Sequence, residues 1–260
     1  MANKNTSDVL HSVENGILKI VLNRPTKKNA ISASMYKIVM HLLYDSVHDS
    51  NIHAVVLTGS GNYFSSGNDF LSFMTNGDED TPNIENSVAI YKNFVDTLIT
   101  YPKLLIAIVN GPAIGIAVTI LPLFDMVYAS DMASFHTPFT KLSLVAEGCS
   151  TYTFPKILGQ SKAGDMLYLG YKMNALEAKL YGFVSEVYKH EHLNDVWSYL
   201  NKLSTLSAES ILAIKRLVKR WNERLLLEVN EQESIELITS VKSPDFVQKF
   251  MSTMSSRSKI

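Results

Sequence analysis

Hydrophobic positions along the chain follow two different periods. Short β-branched runs at residues 17–22, 54–58, 105–109, 126–129 and 184–188 are almost free of polar residues and end at turn formers. Strands that are apolar on both faces belong inside a sheet covered on both sides, as parallel strands are. Between them the period lengthens. Residues 34–47 place Met35, Ile38, Val39, Leu42 and Leu43 on one stripe, and residues 88–99 do the same with Val88, Tyr91, Phe94, Val95 and Leu98. Alternation of this kind predicts an α/β layered fold. After about Ser204 the pattern is helical throughout: 209–229 reads as one long amphipathic helix, 231–238 and 244–251 as shorter ones. No Gly/Ser tract precedes them. The expected organisation is a core over 1–203 and a helical region over 204–260, packed on the core or on a neighbouring subunit. The acidic, turn-rich segment 77–83 is expected to be a mobile surface loop.

With 260 residues and 46% hydrophobic content, the chain can bury a sizeable core. A formal net charge of -1 gives no global attraction to nucleic acid or anionic membrane, so an anionic ligand must be held by local groups. The single cysteine, Cys149, rules out an internal disulfide and a cysteine-rich zinc site. No stretch of about 18 uncharged apolar residues occurs, and residues 1–8 lack the apolar run of a secretory signal, so a soluble protein is expected. The closing Ser258-Lys259-Ile260 is one residue away from the S-K-L peroxisomal address.

Three segments could carry chemistry. Asn62-Tyr-Phe-Ser-Ser-Gly-Asn-Asp-Phe70 and Asn110-Gly-Pro-Ala-Ile-Gly-Ile-Ala-Val118 each follow a core strand and open through a Gly-containing turn. Such turns leave backbone N–H groups free for an anion or a developing oxyanion. Ordinary turns with tight strand-helix packing, and Asp69 as a plain helix cap, fit the same residues. In Leu142-Ser-Leu-Val-Ala-Glu-Gly-Cys-Ser150, Glu147 has apolar and small neighbours. It could be a desolvated acid/base or a solvated loop carboxylate.

Taken together, Asn23-Arg24-Pro25, Asn29-Ala30, Ser65-Ser66-Gly67-Asn68-Asp69, Asn110-Gly111-Pro112-Ala113-Ile114-Gly115 and Glu147-Gly148 resemble, in order and spacing, the crotonase (enoyl-CoA hydratase/isomerase) superfamily. Phe135-His-Thr-Pro-Phe139, Glu147-Gly-Cys-Ser150 and Phe154-Pro-Lys-Ile157 are similar to its peroxisomal Δ3,Δ2-enoyl-CoA isomerase branch. The resemblance implies a spiral of ββα units with a C-terminal helical oligomerisation region, assembled as a homotrimer or a dimer of trimers. It implies an acyl-CoA thioester substrate, with coenzyme A part of that substrate and no separate cofactor or metal. The oxyanion hole would be the backbone N–H groups of Asn68 and Ile116. Ser66, Gly67, Asn68, Asp69 and Phe70 would line the thioester and pantetheine end. Lys28 and Ala30 would lie near ribose and adenine, with Lys27 or Lys28 meeting a phosphate.

Hydratases of the superfamily use two glutamates. The first would fall at Thr119 and the second near Phe139, and neither residue is acidic; Glu147 instead matches the position of the acid/base in the isomerase branch, which the resemblance implies as the one acid/base here. The expected activity is a shift of the 3-cis or 3-trans double bond of an enoyl-CoA to 2-trans, in β-oxidation of unsaturated fatty acids. Another crotonase activity, or a non-catalytic CoA-binding scaffold, is the alternative. An import receptor for Ser258-Lys259-Ile260 would place the protein in the peroxisome matrix, with mitochondrion or cytosol as alternatives. Lys215, Arg216, Lys219, Arg220 and Arg224 are expected to form a solvated or intersubunit basic face, or to grip a phosphate of CoA bound to a neighbour. His190 and His192 read as a polar loop before a helix rather than metal ligands.

Overall fold

The computed structural model describes residues 7–69 and 84–257; Phe70, the segment 77–83 and Ser258-Lys259-Ile260 lie outside them. The larger of two sheets contains strands β1 (Val9–Glu14), β2 (Ile17–Leu22), β3 (Ala54–Gly59), β4 (Leu104–Val109), β6 (Met126–Ser130) and β9 (Glu186–Tyr188), in that spatial order. The first pair is antiparallel and every later pair parallel. A smaller sheet joins β5 (Ala113–Ile114), β7 (Ser134–His136) and β8 (Lys172–Asn174). The chain lays down β4 and then β5, β6 and then β7, so successive turns feed the large and small sheets alternately. That stepwise path is the expected spiral of ββα units, here with a sheet of mainly parallel strands.

The apolar runs are explained by burial on both faces. Leu18, Ile20, Val55, Leu57, Leu105, Ala107 and Val127 enter the main core, while the intervening Ile17, Ala54, Val56, Ile106, Ile108 and Tyr128 enter a second one. Helices α1 (Ala33–His48) and α2 (Ile84–Thr100) cover the first face with the predicted stripes, except that Ile38 of α1 is exposed and Tyr36 is buried in the core instead. Of the shorter helices, α3 (Ile116–Thr119), α4 (Ser150–Leu158), α5 (Gln160–Leu169) and α6 (Ala175–Leu180) follow, and α7 (Leu193–Leu200) covers the second face with Val196 and Leu200. The C-terminal helices are α8 (Ala208–Lys219), α9 (Glu223–Val241) and α10 (Pro244–Arg257).

Two sequence readings need correction. The helix expected over 209–229 is broken after Lys219, and the boundary expected at Asn230 is absent, α9 running unbroken through it. Tertiary contacts decide both. Lys219 Nζ donates to the carbonyls of Leu98, Ile99 and Tyr101, at the C-terminus of α2, which pins the end of α8 there. Asn230 is fully buried, and its Nδ2 donates to the Lys92 carbonyl and the Asp96 carboxylate. The basic face also divides. Lys215 is buried and paired with Asp125 at 2.7 Å, so it and Lys219 are structural cations. Arg216, Arg220 and Arg224 remain exposed.

Candidate active site

The first Gly turn is held from below by Asn29. This fully buried side chain donates from Nδ2 to the carbonyls of Ser60 and Tyr63 at 2.8 and 2.7 Å, and its Oδ1 accepts the Arg24 N–H at 2.9 Å. The segment 28–30 is thereby set against 65–69: the Ser65 hydroxyl donates to Asn29 O, and the Ser66 N–H to Lys28 O, both at 2.8 Å. Lys28 is exposed, with Nζ 5.2 Å from the centre of the Tyr63 ring. Ala30 O and the Asp69 carboxylate share the guanidinium of Arg24, at 2.8 and 2.9 Å. Asp69 is thus an ion-pair partner; the segment it was expected to cap begins at Phe70.

Ile31 forms a parallel bridge with Asn68, donating to Gly67 O and accepting from the Asp69 N–H. In this alternation the N–H of Asn68 faces the other way, toward the second Gly turn. Gly67, at φ +86°, is so close to that turn that a Cβ would stand 2.6 Å from Ile114 O. On the second turn, Gly115 donates to His136 O, and the N–H of Ile116 opens α3 with no side-chain cap. Among the described residues, neither the Asn68 nor the Ile116 N–H has a protein acceptor. Each turn thus carries one such N–H, and the close approach at Gly67 sets the two turns side by side.

Glu147 completes the site. It is 5% exposed, and the Asn68 amide reaches its carboxylate through long contacts of 3.4 and 3.5 Å. The Tyr36 hydroxyl, from α1, in turn donates to Asn68 Oδ1 at 2.5 Å. Burial pushes the Glu147 pKa up to about 8, the charge of Glu233 adds to the rise, and the Asn68 hydrogen bond opposes it. Gly148, at φ +68°, donates to the Tyr91 hydroxyl of α2 at 2.6 Å, and a Cβ on it would meet Thr119 Oγ1 at 2.4 Å. The backbone just after Glu147 thus lies against α3, at Thr119 and Ile116. Beside it, a cavity of about 770 Å³ is lined by Phe139, Leu144, Val145, Ala146, Pro155 and Leu167, among others.

The structure brings Lys28, Ala30, Ser66, Gly67, Asn68, Asp69, Ile116 and Glu147 into one neighbourhood; Phe70 lies outside the described residues. Sequence reasoning missed Tyr36, Tyr91 and Glu233. Both tyrosines sit where helical spacing marks core, so nothing signals the use of their hydroxyls. Among the described residues, no cluster of His, Cys, Asp and Glu could hold a metal ion, and no helix is long and apolar enough to cross a membrane. His190 instead contacts Ser130 Oγ at 3.2 Å.

A mainly parallel sheet wound as a spiral, with two Gly turns brought against each other and a buried carboxylate beside them, is the architecture of the crotonase fold. The chain belongs to the enoyl-CoA hydratase/isomerase family, whose model matches residues 12–255. It is 46% identical over 231 residues to peroxisomal enoyl-CoA delta isomerase 3 of Mus musculus, covering 88% of this chain and 73% of that protein. Enoyl-CoA delta isomerase 2 of Rattus norvegicus is 41% identical, over 97% of this chain and 64% of its own length. The crystal structure of an enoyl-CoA hydratase/isomerase from Pseudoalteromonas atlantica T6c superposes with a TM-score of 0.87 at 30% identity, covering 96% of this chain and 98% of that one.

Proposed function

We propose that the chain is a Δ3,Δ2-enoyl-CoA isomerase in which Glu147 moves one proton and the N–H groups of Asn68 and Ile116 hold the thioester oxygen. The observation that carries this reading is the buried Glu147 carboxylate in contact with Asn68, whose N–H, like that of Ile116, has no protein acceptor among the described residues. Thr119 and Phe139, the places of the hydratase acids, are buried and not acidic. Names of the mouse and rat relatives support the same chemistry.

Polarisation of the thioester carbonyl acidifies C2. Glu147 takes a C2 proton, the electron pair spreads into a dienolate, and the oxyanion is held by the two N–H groups. The same carboxyl then delivers its proton to C4, leaving the double bond between C2 and C3. Hydration would need a second acid on water, and among the described residues the hydratase positions Thr119 and Phe139 supply none. A desolvated carboxylate with a raised pKa is the stronger base for a carbon acid. The apolar cavity beside residues 144–146 suits the far end of the acyl chain, and exposed Lys27 and Lys28 suit a CoA phosphate. Coenzyme A arrives as part of the substrate, so the reaction uses no cofactor.

The test follows conversion of a 3-enoyl-CoA to its 2-trans isomer by purified protein. Absence of turnover with CoA binding retained would favour the scaffold reading. Glu147 must be ionised to act, so kcat/KM is expected to rise with pH through an inflection near the raised value of about 8. A flat profile between about pH 6 and pH 9 would remove Glu147 as the base. For location, deleting Ser258-Lys259-Ile260 is expected to move a fluorescent fusion from peroxisomes to cytosol; unchanged import would rule out that address.

A further inference from the structure

Glu233, contributed by α9 from the C-terminal helical region, is buried behind the loop that carries Glu147. Its Oε2 accepts the Cys149 N–H at 2.7 Å, and its Oε1 accepts the Thr151 N–H at 3.0 Å and the Thr151 hydroxyl at 2.6 Å. These donors belong to the N-terminus of α4. Its own N-cap, Cys149, has φ 63° and makes no side-chain cap. A carboxylate from a distant helix therefore does the capping, with favourable placement on the helix dipole. The Ser150 hydroxyl, between the two capped residues, closes back on Glu147 O at 2.7 Å and ties the cap to the backbone of the base.

We infer that Glu233 is a positioning residue for the reaction, holding the Glu147 loop in place and setting a second carboxylate behind it. The inference rests on Glu147 being the base. Among the described residues no cation pairs with Glu233, so its charge is offset only by hydrogen bonds. The groups facing Glu147 are Tyr36 from α1, Tyr91 from α2, Glu233 from α9 and the neutral amide of Asn68. Asp96 of α2 acts on the neighbouring Cys149, whose thiol is pushed far up by burial. Both tyrosines are held well above the usual phenol range and stay neutral, and burial raises Glu233 itself. The charge of Glu233 adds to the rise at Glu147, so the two carboxylates are expected to titrate as a coupled pair.

The experiment compares pH profiles of kcat/KM for the full-length protein and Glu233→Gln, which keeps the shape and one acceptor but removes the charge. The acidic limb is expected to move to lower pH, raising the ratio of the rate at about pH 6.5 to that at about pH 9 severalfold, while plateau kcat falls and KM changes little. A limb that stays put while only thermal stability drops would show a purely structural cap and overturn the inference. A second readout needs neither the variant nor turnover: a carboxyl 13C titration of Glu147 in the unmodified protein, assigned with Glu147→Gln. Two inflections, one shared with the Glu233 resonance, are expected; a single inflection independent of Glu233 overturns the coupling. If Glu147→Gln keeps near wild-type activity, the functional reading fails instead, and the two failures are told apart.

Discussion

Replacing Glu147 by Gln is expected to lower kcat for 3-enoyl-CoA isomerisation by about 10²–10⁴-fold while leaving binding of a non-reactive acyl-CoA nearly intact. The amide has the same shape and can keep its contacts with Asn68, but it cannot take a proton from C2. The same substitution should stabilise the protein at alkaline pH. In the folded chain the Glu147 pKa is raised from the usual 4.5 to about 8, so the folded state binds the proton more tightly than the unfolded one. The favourable contribution of the protonated form is fully present below about pH 4.5 and is lost as pH rises to about 8. Gln escapes that loss, for an advantage of about 5 kcal/mol above pH 8 at 1.36 kcal/mol per pH unit. Thermal unfolding of both proteins at acid and alkaline pH checks it. Equal stability at the two extremes would mean that Glu147 is solvated.

The second large effect is expected from Gly67→Ala. The backbone at Gly67 has φ +86°, which L side chains adopt at a cost, and the new methyl would lie 2.6 Å from Ile114 O. Something must move, and what moves is the spacing between the turns carrying the Asn68 and Ile116 N–H groups. An oxyanion donor is worth about 2.7–4 kcal/mol of barrier, so loss of one corresponds to about 10²–10³-fold in kcat. Folding should lose about 1–3 kcal/mol from the strained backbone. The pH at which activity switches on should not shift, since Glu147 is untouched. A variant with wild-type kcat would show that the two turns do not form the oxyanion hole.

Much of this architecture was legible in the sequence because period and burial agree. Runs such as 54–58 and 105–109 read as strands apolar on both faces, and both faces are covered. The Gly turns were legible for a related reason, since Gly67 and Gly115 occupy backbone conformations that other residues avoid. The C-terminal helices were misdivided because their boundaries are set by partners far along the chain: Lys219 bonds to carbonyls at 98–101, and Asn230 to Lys92 and Asp96. Burial of Glu147 was an open question in the sequence for the same reason. Its surroundings come from Tyr36, Asn68, Tyr91 and Glu233, brought together only by folding.

The central claim is that one carboxylate, with no second acid, makes this site an isomerase. It is tested most directly by giving the purified protein a 3-enoyl-CoA and crotonyl-CoA in parallel, and following 2-trans-enoyl-CoA and 3-hydroxyacyl-CoA by chromatography. Isomerisation is expected to exceed hydration by about 10²-fold or more, the typical contribution of a missing acid/base group. Hydration of crotonyl-CoA as the faster reaction would contradict the account.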